Sequence, residues 1–264
     1  MLKAILYYIL FLAEYLITIF LGGFLVGFYM ASNIPSGSHS QQIEGLEESI
    51  YPFIIVIGFL GILIVWLTFG YYKFSRFSLG KVIPAAKWKA MTICTMPILG
   101  FTMVFYSIMN LFHLDFLPKQ MMEMSYLGFL PYNIIGSFIP VYIFFGAIQE
   151  ELIRCGKKRW VQLLTLSIMM LPACMMSVTP SGDINVDLTV LGFITLCYCS
   201  WIYGKTRSTI ILIVLYFVSN LVPFHFESKV LGILLLIAGT ALTIGGFAVL
   251  SRKLPEMLVK DENE

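Results

Sequence analysis

Glu150 and Glu151 stand side by side in Gln149-Glu150-Glu151-Leu152-Ile153-Arg154-Cys155-Gly156, at the end of an apolar run that begins at about Pro131. An acid in a hydrocarbon-facing segment is expensive and marks a functional position by default. A carboxylate there can act as a general base on water or as a ligand to a metal ion. Adjacent helical residues point about 100° apart, so the two acids cannot share one face. Arg154 follows Glu150 by four positions and Glu151 by three, within reach of either. The plain structural alternative is an ion pair at a helix end.

The chain that must position these acids has 264 residues, 59% hydrophobic and 12% charged, with a mean hydropathy of +0.88. Soluble domains carry about 25% charged residues, so the composition is that of a membrane protein. The apolar runs are continuous rather than alternating, which predicts helices and not barrel strands. The expected fold class is all-α, a polytopic bundle of eight transmembrane helices. The spans fall at about 4–30, 51–72, 90–113, 131–153, 161–178, 188–204, 208–224 and 229–250. They form a single membrane domain over residues 1–253, followed by a short polar tail over 254–264.

The connecting loops set the orientation. All seventeen basic residues except Lys119 and Lys229 fall on one side of this eight-span arrangement. The positive-inside rule places that side, with both termini, in the cytoplasm. The expected location is the plasma (inner) membrane. The partner common to any such protein is the lipid bilayer, and bases flanking a span reflect topology rather than nucleic-acid binding. Residues 4–30 are too long for the apolar core of a signal peptide and read as a retained first helix. Gly22, Gly23 and Gly27 give that helix a small-residue face suited to close packing. The five cysteines lie in or beside apolar runs, without the paired pattern of a disulfide framework.

The order of polar residues resembles the CAAX protease and bacteriocin-processing family of intramembrane metallopeptidases (CPBP, or Abi). The family's first motif is Glu-Glu-x-x-x-Arg, commonly followed by Gly; here both acids and Gly156 are present, with Cys155 at the Arg position and Arg154 one residue early. The second motif, Phe-x-x-x-His, aligns with Met170-Leu171-Pro172-Ala173-Cys174. The third region aligns with Lys205-Thr206-Arg207-Ser208 and Tyr216-Phe217-Val218-Ser219-Asn220, with Tyr216 at the His position. The resemblance covers residues 131–224.

It implies an eight-helix bundle whose site is built from spans four, five and seven. Glu150, Glu151 and Asn220 would be the retained catalytic positions, with Cys174 and Tyr216 in place of the family's two histidines. His39, His113 and His225 all fall toward the face opposite the Glu pair. A bilayer core of about 30 Å separates those faces, too far for direct coordination. The expectation is therefore a pseudoenzyme with no metal and no cofactor, zinc entering only if the protein is active. It would bind a membrane protein or a hydrophobic or lipidated peptide. Two rival expectations are an active endopeptidase with an atypical Glu-centred site, and a transporter of ions or small solutes using Glu150, Glu151 and Arg154.

Overall fold

The computed structural model describes residues 2–33, 61, 80–112, 137–138, 141–175, 186–219 and 228–259. The structure is all-helical over these residues. Helix α1 spans Leu2–Asn33. A 3-10 turn, Pro84–Ala86, leads into α2, Lys87–Leu111. A π-helix, Val141–Gln149, runs directly into α3, Glu150–Arg154. Then come α4, Arg159–Met175, α5, Val186–Thr206, α6, Thr209–Ser219, and α7, Lys229–Met257. Two helical segments, Pro84–Leu111 and Lys229–Met257, are long and apolar enough to cross a membrane. Helix α7 continues past residue 250, where the sequence pattern ends the span, because Leu254 and Met257 extend its buried face by another two turns. The expected span over residues 51–72 lies outside the described residues except for Gly61.

Among the described elements the π-helix is buried along its whole length, all nine of its residues, as expected of a helix that is apolar on every side. Pro140, which has no N–H to donate, immediately precedes it in sequence. Helix α1 packs along the π-helix through Ala4, Tyr7, Phe11 and Glu14, residues at helical spacing on one face. The rings of Phe11 and Phe144 meet edge-on at 5.7 Å.

Helices α2 and α7 form the most extensive helix pair. Gly232, Gly239 and Gly246 recur every seven residues and make up the upper part of the buried face of α7. A Cβ on Gly239 would stand 2.8 Å from the Gly100 carbonyl oxygen, and one on Gly100 would stand 2.6 Å from that of Gly239. Gly246 lies against the Pro97 backbone in the same way. Small residues let the backbones approach this closely, which is how apolar helices gain packing energy when lipid offers no hydrophobic drive. Buried hydroxyls in α2 turn back on their own helix: Thr95, Thr102 and Ser107 donate to the carbonyls of Met91, Ile98 and Met103 at 3.0, 2.7 and 2.6 Å. That satisfies them without a partner helix.

At the end of the molecule rich in Lys and Arg, the chain from Gly80 to Ile83 is threaded between two other segments. The Lys81 N–H donates to the Thr206 carbonyl at 2.8 Å. Ile83 donates to Met257 at 3.0 Å, and Val259 donates back to the Lys81 carbonyl at 2.7 Å. Gly80 has φ +61 and lies against the backbone of Thr206 and Arg207, so a Cβ has neither the dihedral nor the space. This three-layered clamp holds the turn between α5 and α6.

Candidate functional site

Helix α3 is short because Gly156 stops it. With φ +66, Gly156 donates to the Ile153 carbonyl at 2.9 Å while Lys157 donates to that of Leu152 at 3.0 Å. This paired pattern is a Schellman stop. It leaves Glu150 and Glu151 in the first turn of α3, directly after the π-helix.

Glu150 reaches across to α5 and to the turn beyond it. Arg207 Nη1 donates to Glu150 Oε2 at 2.8 Å, and the Tyr203 hydroxyl donates to the same oxygen at 3.0 Å. Arg154 Nε donates to Oε1 at 3.3 Å. The two arginines differ in setting: the Arg207 side chain is 25% exposed and that of Arg154 62%, against 23% for Glu150. Arg207 is thus the better-shielded partner, and its attraction is the less screened by solvent. The residue expected as the partner, Arg154, makes the longer and more exposed contact.

Local structure explains why Arg207 stands there. Thr206 donates its hydroxyl back to the Ile202 carbonyl at 2.9 Å. Ser208 Oγ accepts from the Ile211 N–H at 3.3 Å and caps α6. Between them Arg207 adopts φ +52, in the left-handed region. That conformation is uncommon for a side chain of this size, and the Gly80 clamp maintains it.

Glu151 points elsewhere, as the 100° helical step requires. The Cys155 thiol lies 3.8 Å from its Oε1, and Tyr7 of α1 is in electrostatic reach of Glu151 and Arg154. Tyr216 lies in α6 with its ring 6.3 Å from Phe145; the Tyr203 ring lies at the same distance on Phe145. Tyr216 is therefore joined to the Glu150 centre through Phe145, and it sits roughly 10 Å along α6 from Thr209 at 1.5 Å of helical rise per residue. The side chain of Cys174, together with Asn220, His39, His113 and His225, lies outside the described residues. Among the described residues no three His, Cys, Asp or Glu side chains converge as a metal site.

Two polar residues escaped the sequence reading. Gln149, the last residue of the π-helix, is 1% exposed. Its Nε2 donates to the Ser200 carbonyl at 3.0 Å and to Gln162 Oε1 at 3.3 Å. Gln162 in turn donates to the Lys157 carbonyl at 2.7 Å. Gln149 thus ties the π-helix to α4 and α5, while its own Oε1 has no donor among the described residues. Glu14 is the second, an acid buried in α1 on the face that meets the π-helix. A lone acid within residues 4–30 carries the same signal as the Glu pair and could have been singled out on that ground.

Comparison with known proteins finds no matching family model, no matching curated protein and no matching solved structure.

Proposed function

We propose that this chain is a membrane protein of the CPBP type that has given up hydrolysis and works by binding. In this reading eight spans cross the plasma membrane, with both termini in the cytoplasm. The polar centre at the end of span four then organises the cytoplasmic side of the bundle, and the ligand is a membrane protein or a hydrophobic or lipidated peptide.

One observation carries the reading. Both oxygens of Glu150 already accept hydrogen bonds, from Arg207, Tyr203 and Arg154. Three of the carboxylate's four lone-pair sites are thus taken, two of them by cations, whereas a general base needs a lone pair free and aimed at the proton it removes. Here the carboxylate serves as a tie between α3 and the α5–α6 turn. The same donor set does not suit zinc: two guanidinium cations lie beside the carboxylate, and Tyr216 offers a phenol where zinc sites use neutral imidazole or thiolate.

The test uses the purified full-length protein in liposomes, given prenylated and unmodified hydrophobic peptides with and without added zinc. The expected outcome is retention of a photo-crosslinkable lipidated peptide with no cleavage under any condition. Cleavage that vanishes in Glu150→Ala would establish the active endopeptidase instead. Solute-dependent proton uptake that vanishes in Glu151→Gln would establish a transporter.

A further inference from the structure

Helices α5 and α7 both end at the Lys/Arg-rich end; α7 packs extensively on α2, while α5 packs mainly on α4 and makes a smaller contact with α2. They meet at one aromatic pair, Tyr198 and Phe247, edge-on at 5.8 Å. The Tyr198 hydroxyl passes beneath it to the Cys94 carbonyl of α2 at 2.6 Å. Above this floor the two helices leave a groove of about 710 Å³ lined by Ile194, Tyr198, Trp201, Phe247, Ala248 and Ser251. Two of its donor-bearing side chains are already engaged, Tyr198 with the Cys94 carbonyl and Ser251 with the Ala248 carbonyl of its own helix at 3.0 Å, so apart from the Trp201 indole the groove offers an apolar trough to the outside.

The charges at one end say what fits it. Lys205 follows Trp201 by one helical turn, and Arg252 follows Ala248 by one turn, so each continues a wall of the groove. Both are exposed, and neither forms an ion pair among the described residues; the nearby pair at this end is Lys253 with Glu256 at 3.1 Å. An apolar trough that opens between two free cations is complementary to an acyl chain with a phosphate at its end. Trp201, one turn before Lys205, is of the residue type that anchors at the headgroup level. Basic pockets between membrane helices hold anionic headgroups in this way.

We propose that the groove between α5 and α7 is a binding site for an anionic phospholipid. One acyl chain lies along Tyr198, Trp201 and Phe247, and the phosphate is held by Lys205 and Arg252. The proposal rests on the reading of the chain as a membrane protein, but not on the family or on the absence of hydrolysis.

The experiment is native mass spectrometry and thermal unfolding of the full-length protein in a neutral detergent, titrated with phosphatidylglycerol, phosphatidylcholine or inorganic phosphate. Phosphatidylglycerol is expected to bind and raise the unfolding temperature, phosphatidylcholine to bind at least tenfold more weakly, and phosphate alone to do neither. Lys205→Gln with Arg252→Gln should lower phosphatidylglycerol affinity tenfold or more and leave phosphatidylcholine unchanged, since each base near a lipid surface contributes about a fivefold factor. Ala248→Trp, at an exposed position, should fill the trough and weaken both lipids. Equal affinity for the two lipids, or phosphatidylglycerol binding untouched by these variants, overturns the proposal. So does stabilisation by phosphate alone, or a dimer that Ala248→Trp dissociates while no lipid is bound. A chain that proves water-soluble without detergent removes the membrane reading itself, a result separate from any of these.

Discussion

The α2–α7 seam and the Glu150 centre hold helices together by opposite means. At the seam, glycines bring two backbones into contact, and the hydroxyls nearby are satisfied within their own helix. Its energy comes from many small dispersion contacts, each about 0.1–0.2 kcal/mol, all requiring the same separation. At the polar centre, one carboxylate gathers three donors from two chain segments, its own helix and the stretch from Tyr203 to Arg207. Its energy comes from a few directional bonds, supported by a clamp that fixes an unusual backbone. The seam should therefore be intolerant of added volume and indifferent to charge. The centre should respond to the identity of single polar atoms.

The contrast is broken most severely where both constraints meet. Gly80→Ala places a Cβ against the Thr206–Arg207 backbone at a left-handed φ, and a loss of about 3 kcal/mol is expected from dihedral strain and overpacking together. Thermal unfolding in detergent would register this as a large drop, and an unchanged midpoint would mean that the clamp is not tight. Next comes Gly239→Ala, which pushes a methyl toward the Gly100 carbonyl and should cost about 1–3 kcal/mol. Its mark is specificity: the loss should persist with the same size at high salt.

The smallest effects separate the two arginines. Removing Arg207 should cost about 1–2 kcal/mol and removing Arg154 less than about 1, because exposed i,i+4 pairs contribute little. A double-mutant cycle with Glu150→Gln measures each coupling directly. A larger coupling for Arg154 than for Arg207 would reverse the ranking drawn from their exposures.

The pattern of what could be read from the sequence follows the same division. Local relations were legible. Continuous apolar runs predict helices, and the Glu150–Arg154 contact follows from i,i+4 spacing on one helix. The Gly156 stop is visible as a glycine after a charged last turn. Arg207 was not legible as the partner of Glu150, since the contact spans 57 residues and depends on a turn whose shape is set by Gly80, in a third segment. The π-helix has no pattern of its own, because an element buried on every side shows no periodicity. For the glycines there was a second signal beside the one read at Gly22, Gly23 and Gly27, whose surroundings lie outside the described residues. Gly22, Gly23 and Gly27 cluster visibly, whereas Gly232, Gly239 and Gly246 are spaced by seven and show only when heptads are counted.

The clamp also has a consequence in time. Its layers come from residues 80–83, 206–207 and 257–259, in that order along the chain. During synthesis Glu150 is made long before Arg207, and the backbone that fixes Arg207 is complete only after Val259 has left the ribosome. Glu150 therefore waits 57 residues for its stronger cation, and until Val259 for the backbone that fixes it, accompanied by Arg154 alone. A weak local pair that is exposed in the finished protein is, on this schedule, the first counter-ion that Glu150 meets.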